Sequence, residues 1–170
     1  SENENDAIRF VNGAGGEFAI SISDDKCYKD NFFAAYGYSD CAVVSLKDGS
    51  RRILAEKIEN TPATSPYGKY LLWFNPEDGN WYSISTSDGT LTNLTAQTGV
   101  NFFDELDDHP MKYLPKGNAS WMGKDEYILL SDRYDVWKFS PDGRKAVNLT
   151  KGEGRREKVC YSVTRFESQN

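Results

Sequence analysis

The sequence predicts an all-β protein that repeats one four-stranded antiparallel unit about three times. Three observations support this prediction. The dipeptide Asp-Gly recurs at Asp48, Asp88 and Asp142, with separations of 40 and 54 residues. Each dipeptide stands between two segments in which apolar and polar residues alternate, as they do along a half-buried strand. No segment of about ten residues shows the spacing and the caps of an amphipathic helix.

The strands of each unit follow in chain order. The first unit contains EFAISIS, CAVVSL and SRRILA, the second contains KYLLWFN, WYSIST and TLTNLT, and the third contains EYILLSD, DVWKFS and KAVNLT. A period of about 40 residues with four short antiparallel strands is typical of β-propeller blades. We therefore predict one partial β-propeller domain over 1–170, with blades at about 1–58, 59–115 and 116–155 and a terminal strand at 158–166. A sandwich or a barrel is the competing fold.

The Asp-Gly dipeptides predict tight hairpins. Both central residues of a two-residue type I′ turn need positive φ, which Asp and Gly tolerate better than most residues. The Asn-Leu-Thr segments that follow two of these hairpins are glycosylation sequons, as is Asn118. Because Asn93 and Asn148 recur at equivalent strand ends, we expect them and the threonines to cap or pack the backbone instead. The segment SDRYD is likewise expected to be a turn.

Aromatic residues make up 14% of the chain and fit a stack of sheets. One four-stranded sheet cannot bury both of its faces alone, whereas neighbouring blades bury them against each other. Burying one Trp contributes roughly 4–6 kcal/mol before entropy costs. The residues expected between the sheets are Trp73, Trp81, Tyr82, Trp121, Tyr127 and Trp137.

The number of units raises the question of closure, because propeller rings have at least four blades. We expect the chain to be a fragment of a larger propeller, or to have its open edges covered by another copy. An exposed edge strand is a template for pairing with another chain. Self-association through the open blade edges is therefore the expected interaction.

Composition argues against several classes of partner. The net charge is −6, the pI is about 4.9, and the basic residues are scattered, so nucleic acid is not expected as a partner. No run of about 18 apolar residues is present, and the first residues are acidic, so we expect neither a membrane span nor a secretory signal in this chain. The three cysteines lack metal-site spacing, and no metal or cofactor is expected. Cys27 and Cys41 either form a disulfide or are buried free thiols.

Two segments resemble known propellers. SPYGKYLLWF, at 65–74, looks like the SPDGK strand motif of TolB-like propellers, with Tyr67 where that motif prefers Asp. YILLSDRYDVWKFSPDGRKAVNLTKGEGR resembles late propeller blades of dipeptidyl-peptidase-type bacterial enzymes in the prolyl oligopeptidase family. In that family a DRYD-W turn, a DG hairpin, an NLT strand end and a G-GR linker follow in this order. The resemblance covers about residues 17–166.

This resemblance implies that the parent protein is a serine peptidase. Its propeller would be a scaffold that gates the access of peptide substrates to a separate α/β-hydrolase domain, absent from this chain. It also implies a periplasmic, secreted or cell-surface location. The alternative is a non-enzymatic TolB-like propeller that binds a protein or ligand in the periplasm. A propeller lyase or glycan-binding module would need several histidines or carboxylates on the ring axis, and the chain has one His.

We expect no catalytic residue in this chain. A hydrolase of this type places its nucleophile in a G-x-S-x-G turn and activates it with a histidine. The chain has no such segment, and around Ser120, its nearest imitation, the spacing is wrong. Its single histidine, His109, has no serine placed by the sequence to activate.

The most unusual local feature is an insertion that lengthens the second period, at about residues 96–118. Strand topology places it on the same side of the blades as the turns between second and third strands, where the long segment 24–40 also belongs. Its charges are suited to attract the free amine of a peptide. A solvated acidic loop is the competing interpretation, and the calcium pattern D-x-D-x-D-G is missing. The candidate binding residues are Asp104, Glu105, Asp107, Asp108 and His109.

Overall fold

The computed structural model describes residues 7–10, 16–24, 37–107 and 112–163. These residues contain twelve strands in three sheets. Sheet 1 comprises β1 (Ala7–Phe10), β2 (Phe18–Ser23), β3 (Tyr38–Ser45) and β4 (Arg51–Glu59). Sheet 2 comprises β5 (Ala63–Thr64), β6 (Tyr70–Asn75), β7 (Asn80–Ser85) and β8 (Leu91–Asn93). Sheet 3 comprises β9 (Ala119–Met122), β10 (Tyr127–Ser131), β11 (Val136–Phe139) and β12 (Ala146–Asn148).

Every sheet is an antiparallel meander, in which each strand pairs with the next strand along the chain. The predicted all-β fold of three four-stranded blades is therefore confirmed. The sheets span 7–59, 63–93 and 119–148. The division of all 170 residues into blades stays a prediction. Within the described residues, no helix is long and apolar enough to cross a membrane.

Sheet 2 is buried on both faces. Along β6, Leu71 packs into a cluster with Ile20 and Ile22 of sheet 1, whereas Leu72 packs into a cluster with Ile128 and Leu130 of sheet 3. Adjacent residues of a strand point to opposite faces, so a strand that is covered on both sides needs a continuous apolar run. The sequence YLLWF meets that need.

Aromatic side chains fill both junctions between sheets, largely as predicted. Trp73 packs at the junction of sheets 1 and 2, with its ring 5.2 Å from that of Tyr82. Three further tryptophans, Trp81, Trp121 and Trp137, pack against the cluster between sheets 2 and 3. The prediction is wrong for Tyr127. Its register on β10 turns it away from sheet 2, because its neighbour Ile128 faces that sheet, and its exposed ring lies under the ammonium of Lys138.

The predicted two-residue type I′ turns are not formed. The paired residues Ser45 and Ser50 enclose four residues, and Gly49 has φ 73° while Asp48 does not have positive φ. The turn at 86–89 has the same length. In each, the aspartate carboxylate accepts the backbone N–H two residues on, at 3.0 Å for Asp48. Asp therefore stabilises the wider turn through its side chain, and only Gly supplies the left-handed conformation.

The two Asn-Leu-Thr segments close the third and fourth strands. The Thr95 hydroxyl oxygen accepts the backbone N–H of Trp81 at 3.0 Å, and Thr150 accepts that of Val136 at 3.3 Å. Asn93 accepts the backbone N–H of Thr95 at 3.1 Å. These contacts are the backbone-capping role that the repeated strand ends predict.

The predicted terminal strand at 158–166 is wrong over its described part. Residues 158–163 are not in a strand, and they follow a short helix, α1 (Glu153–Glu157). Asp135 accepts the backbone N–H of Gly154 at 2.9 Å, which fixes the start of this helix. The N–H of Tyr161 then donates to the carbonyl of Tyr134, at 2.9 Å, so the chain is held by a turn instead of a neighbouring strand. Residues 164–166 lie outside the described residues.

Cys41 is a free thiol that is buried in the cluster between sheets 1 and 2. Burial raises its pKa to about 12, because the thiolate would lose its hydration there. Cys27 lies outside the described residues. Cys160 is also free and is exposed.

Candidate functional site

The insertion between β8 and β9 folds as a narrow loop over sheets 2 and 3. Two backbone hydrogen bonds join its first arm, 96–107, to its second arm, 112–118. The N–H of Asp104 donates to the carbonyl of Leu114 at 3.1 Å, and the N–H of Lys116 donates to the carbonyl of Phe102 at 2.9 Å. Phe102 is buried in the cluster between sheets 2 and 3. The ring of Phe103 stacks on Tyr113 with 4.0 Å between the centroids. These apolar contacts fix the base of the insertion.

A lysine ties the second arm of the insertion to sheets 1 and 2. The ammonium of Lys112 lies 2.6 Å from the carboxylate of Glu59, at the end of β4, and 2.7 Å from that of Glu77. Glu59 is only 5% exposed, so its charge needs a partner. The hydrogen bonds that Lys112 donates, first to Glu59 and then to Glu77, raise the pKa of Lys112 above its usual range. The N–H of Tyr113 donates to the Pro76 carbonyl at 3.0 Å.

The acidic residues of the first arm are paired with cations. Asp104 contacts Lys116 at 2.7 Å and Arg133 of sheet 3 at 3.1 Å. The hydrogen bond with Lys116 is the main reason that the pKa of Asp104 lies below its ordinary value. Glu105 lies 3.4 Å from Arg155, in α1. These two carboxylates hold the insertion against sheet 3 and α1, and their charges are largely neutralised there.

Of the remaining predicted binding residues, the structure describes Asp107. Asp107 is exposed, and its N–H donates to the carbonyl of Asp104 at 3.2 Å. Asp108 and His109 lie outside the described residues. The described part of the predicted acidic site is therefore a paired base, Asp104 and Glu105, to which Asp107 is joined through the backbone.

The insertion lies at the end of the sheets that carries the turns at 75–80 and 131–136, which we call the insertion end. This is the side that strand topology predicts. Of the second long segment, 24–40, most lies outside the described residues. The turn at 131–136 is fixed by Asp132, which accepts the backbone N–H groups of Tyr134 and Asp135 at 2.6 and 2.9 Å. The expected turn role of SDRYD is confirmed.

Sequence reasoning missed the cations of this site. Arg133 and Arg155 each contribute a guanidinium to it, and the Nε atom of each is buried without a hydrogen-bond partner. Both guanidinium groups lie near the ring of Tyr134. The ring centroid is 5.6 Å from the guanidinium carbon of Arg133 and 5.2 Å from that of Arg155. The only signal in the sequence was their place in the DRYD turn and the G-GR linker.

Ser120 is a strand residue. It is buried on β9 and pairs with Leu129 of β10. Its hydroxyl is therefore not on an exposed turn, which is where a hydrolase of this type places its nucleophile. In the part of the chain that the structure describes, no group of three or more His, Cys, Asp or Glu side chains is arranged to hold a metal ion.

Comparisons with known proteins found similar solved structures but no similar sequence family. No protein-family model matches this chain, and no curated protein matches it. Among solved structures, the chain is similar to TolB from Acinetobacter baumannii, with 16% sequence identity and a TM-score of 0.44. The match covers 85% of this chain and 31% of the TolB chain. The fold assignment rests on the three sheets themselves.

Proposed function

We propose that this chain is a non-catalytic propeller scaffold of a serine peptidase of the prolyl oligopeptidase type. In this proposal the insertion end of the sheets faces the hydrolase domain and limits which peptides reach it. The observation that carries the proposal is the fixed insertion, whose paired charges contact all three sheets. The resemblance of residues 127–155 to late blades of that family supports the peptidase part. The proposed location is periplasmic, secreted or on the cell surface.

The paired base of the insertion is suited to position a surface. A carboxylate that already contacts two cations has little attraction left for a third. Asp104 therefore acts, together with Glu105, by holding the insertion against sheet 3 and α1. In this proposal the contact with a peptide's free amine involves the other predicted residues, Asp107, Asp108 and His109.

The catalytic part of the proposal is tested with a fluorophosphonate probe, which labels activated serines. The 170-residue chain is expected to remain unlabelled, and the full-length protein to be labelled on a serine outside this chain. Ser120→Ala is the control and should not change the labelling of the full-length protein. Labelling of the isolated chain, or loss of labelling in Ser120→Ala, would show that catalysis lies here.

The gating part is tested in the full-length protein with peptides that differ only in a free or acetylated N-terminus. Arg133→Gln removes a cation that holds Asp104, and it is expected to raise KM severalfold with little change in kcat. Arg144→Gln, whose side chain is 84% exposed at the other end of sheet 3, is the matched control. Asp107→Asn should raise KM for the free-amine peptide alone. Equal KM values for both peptides in all variants would remove the substrate role.

The alternative is a non-enzymatic propeller that binds a protein through the insertion end. The pairing of Asp104 and Glu105 favours it, because a fixed and largely neutralised surface fits a protein partner better than a charged substrate. A full-length protein that is exported but carries no fluorophosphonate-reactive serine would support this alternative over the peptidase.

A further inference from the structure

We propose that the cleft between sheets 1 and 2, at the end opposite the insertion, binds a small organic anion with an apolar body. The cleft has a volume of about 480 Å³, within the range of small-molecule sites. Its apolar wall is formed by Phe18 and Val43 of sheet 1 and by Tyr70 of sheet 2. The proposal is independent of the proposed function, because the insertion lies at the other end of the strands.

Two cations line the cleft, and none of its eight described lining residues is acidic. They are Arg52, at the start of β4, and Lys69, directly before β6. Within the described part of the chain, both donate to backbone carbonyls and form no ion pair. Neither cation is therefore paired with a carboxylate there, in a chain whose net charge is −6.

The guanidinium of Arg52 is held in place before any ligand arrives. One terminal nitrogen, Nη2, donates to the carbonyls of Thr86 and Ser87, the second at 3.0 Å. The other donors of this guanidinium have no hydrogen-bond partner among the described residues, and Arg52 is exposed. A fixed guanidinium with free donors suits a carboxylate, since little side-chain entropy is lost when the ligand binds.

Lys69 is partly engaged but keeps donors free. Its ammonium donates to the Lys124 carbonyl at 2.8 Å, and an ammonium has three donors. The carboxylate of Asp125 accepts the backbone N–H of Lys69 at 3.2 Å. It is buried, also accepts from Ser65 and Tyr67, and does not line the cleft.

The arrangement predicts the ligand class. The anionic group would contact Arg52 and Lys69, while an aromatic or branched aliphatic body would lie against Phe18, Val43 and Tyr70. The hydroxyl of Ser87, at the rim, offers one further hydrogen bond. We therefore expect a monocarboxylate of modest size in preference to a neutral molecule of the same shape.

The test is calorimetric titration of the 170-residue chain with 4-phenylbutyrate and with its neutral counterpart 4-phenylbutyramide. Saturable binding of the acid in the micromolar to millimolar range is expected, with the amide at least about tenfold weaker. In NMR spectra, the backbone amide resonances that shift on binding of the acid should include those of Phe18, Val43 and Tyr70. No saturable binding of the acid, or equal binding of the amide, would overturn the proposal.

Variants assign the charge to named residues. Arg52→Gln is expected to weaken binding of the acid about tenfold or more, whereas Arg51→Gln should leave it unchanged, since Arg51 points to the opposite face of the same strand. Lys69→Gln is a second test in case Arg52→Gln unfolds, because Lys69 is exposed. It is expected to weaken binding of the acid severalfold. Unchanged affinity in either folded variant would contradict the site.

Discussion

Asp125 joins sheets 2 and 3 through a single carboxylate. It is 2% exposed, in the turn between β9 and β10. It accepts hydrogen bonds from the hydroxyl of Ser65 at 2.6 Å and from the backbone N–H groups of Tyr67 and Lys69 at 3.0 and 3.2 Å. In the other turn that begins Ser-Pro, Asp142 accepts from the serine hydroxyl at 2.6 Å from within the turn. Tyr67 stands at the position that Asp142 has in that turn. Asp125 of sheet 3 therefore supplies the carboxylate that is missing at Tyr67.

Removing this carboxylate should loosen the junction. Asp125→Gly is expected to lower the free energy of unfolding by about 3 kcal/mol, because a buried hydroxyl and two N–H groups lose their acceptor. Gly also tolerates the φ of 61° at this position, so backbone strain does not contribute. Urea unfolding measures the change.

A second substitution separates this explanation from a general packing loss. In the Asp125→Gly background, Tyr67→Asp should restore part of the stability, because it places an Asp where the other turn has Asp142. In the wild-type background the same change should destabilise the protein, since two carboxylates would share one set of donors. Equal effects of Tyr67→Asp in both backgrounds would refute the replacement.

The sequence shows that Tyr67 departs from its motif, but it does not show what replaces the missing Asp. Asp125 lies 58 residues away from Tyr67, and only the packing of sheet 3 on sheet 2 brings them together. The turn type failed for a different reason. An Asp-Gly dipeptide occurs in both two-residue and wider turns, and the loop length is fixed by strand register, which the dipeptide does not encode.

The insertion is held to sheet 2 by a close approach at Gly79. This glycine has φ 70°, and a Cβ placed there would collide with the ring of Phe103 and lie 3.2 Å from that of Tyr113. Gly49 has φ 73° and open space around the same position. Replacing either glycine by Ala carries the same backbone strain, because both have positive φ. The two sites differ only in the rings that a new Cβ would meet at Gly79.

This pair gives a matched prediction. Gly49→Ala is expected to cost about 1 kcal/mol, for the left-handed backbone alone. Gly79→Ala should cost about 3 kcal/mol, because Phe103 must also move. Faster amide hydrogen exchange over 102–107 and 112–116 should accompany only the second change. Equal costs would mean that the insertion does not rest on Gly79.

The paired base of the insertion should make stability depend on pH. The pKa of Asp104 is lowered in the folded chain, so its carboxylate stabilises the fold above its ordinary pKa of 3.8. That contribution is lost as the pH falls through the lowered folded-state pKa. Asp104→Asn is expected to lower the free energy of unfolding by about 1 kcal/mol between pH 5 and about 8. The difference from wild type should close below about pH 4.

Glu157→Gln is the control for this titration, because its exposed pair with the adjacent Arg156 joins no two elements. It should leave the pH profile unchanged. A gap between wild type and Asp104→Asn that does not narrow as the pH falls below 3.8 would show that Asp104 acts through something other than its charge.

Strand topology is sufficient to place the insertion, but not to find its partners. A meander forces the link between blades to emerge beside the turns between second and third strands, so the sequence period alone indicates the side. Arg133 and Arg155 lie 29 and 50 residues from their acidic partners. Such pairings depend on how the sheets and α1 pack, and a single sequence gives no measure of that.

One face of sheet 3 exposes apolar side chains. Met122, Tyr127 and Val147 lie on the face turned away from sheet 2, and Met122 and Val147 are 49% and 51% exposed. We propose the predicted self-association through open blade edges for this sheet, because Met122 and Val147 lie on its two edge strands, β9 and β12. Sedimentation velocity should show concentration-dependent association, which Met122→Lys weakens at least about tenfold. Leu46→Lys, in an exposed turn, should have no effect, and a monomer at all concentrations would contradict the proposal.

The stack of three sheets depends on sheet 2 being packed on both sides. Leu71 and Leu72 are neighbours on one strand, both buried, and face sheets 1 and 3 respectively. The measurement that tests this most directly is the urea unfolding of Leu71→Ala and Leu72→Ala, with Val147→Ala as the exposed control. We predict one cooperative transition in each, with losses of about 3 kcal/mol for both leucines and under about 1 kcal/mol for Val147. A near-neutral result at either leucine would contradict the stacked-blade account, because that face of sheet 2 would then have no neighbouring sheet.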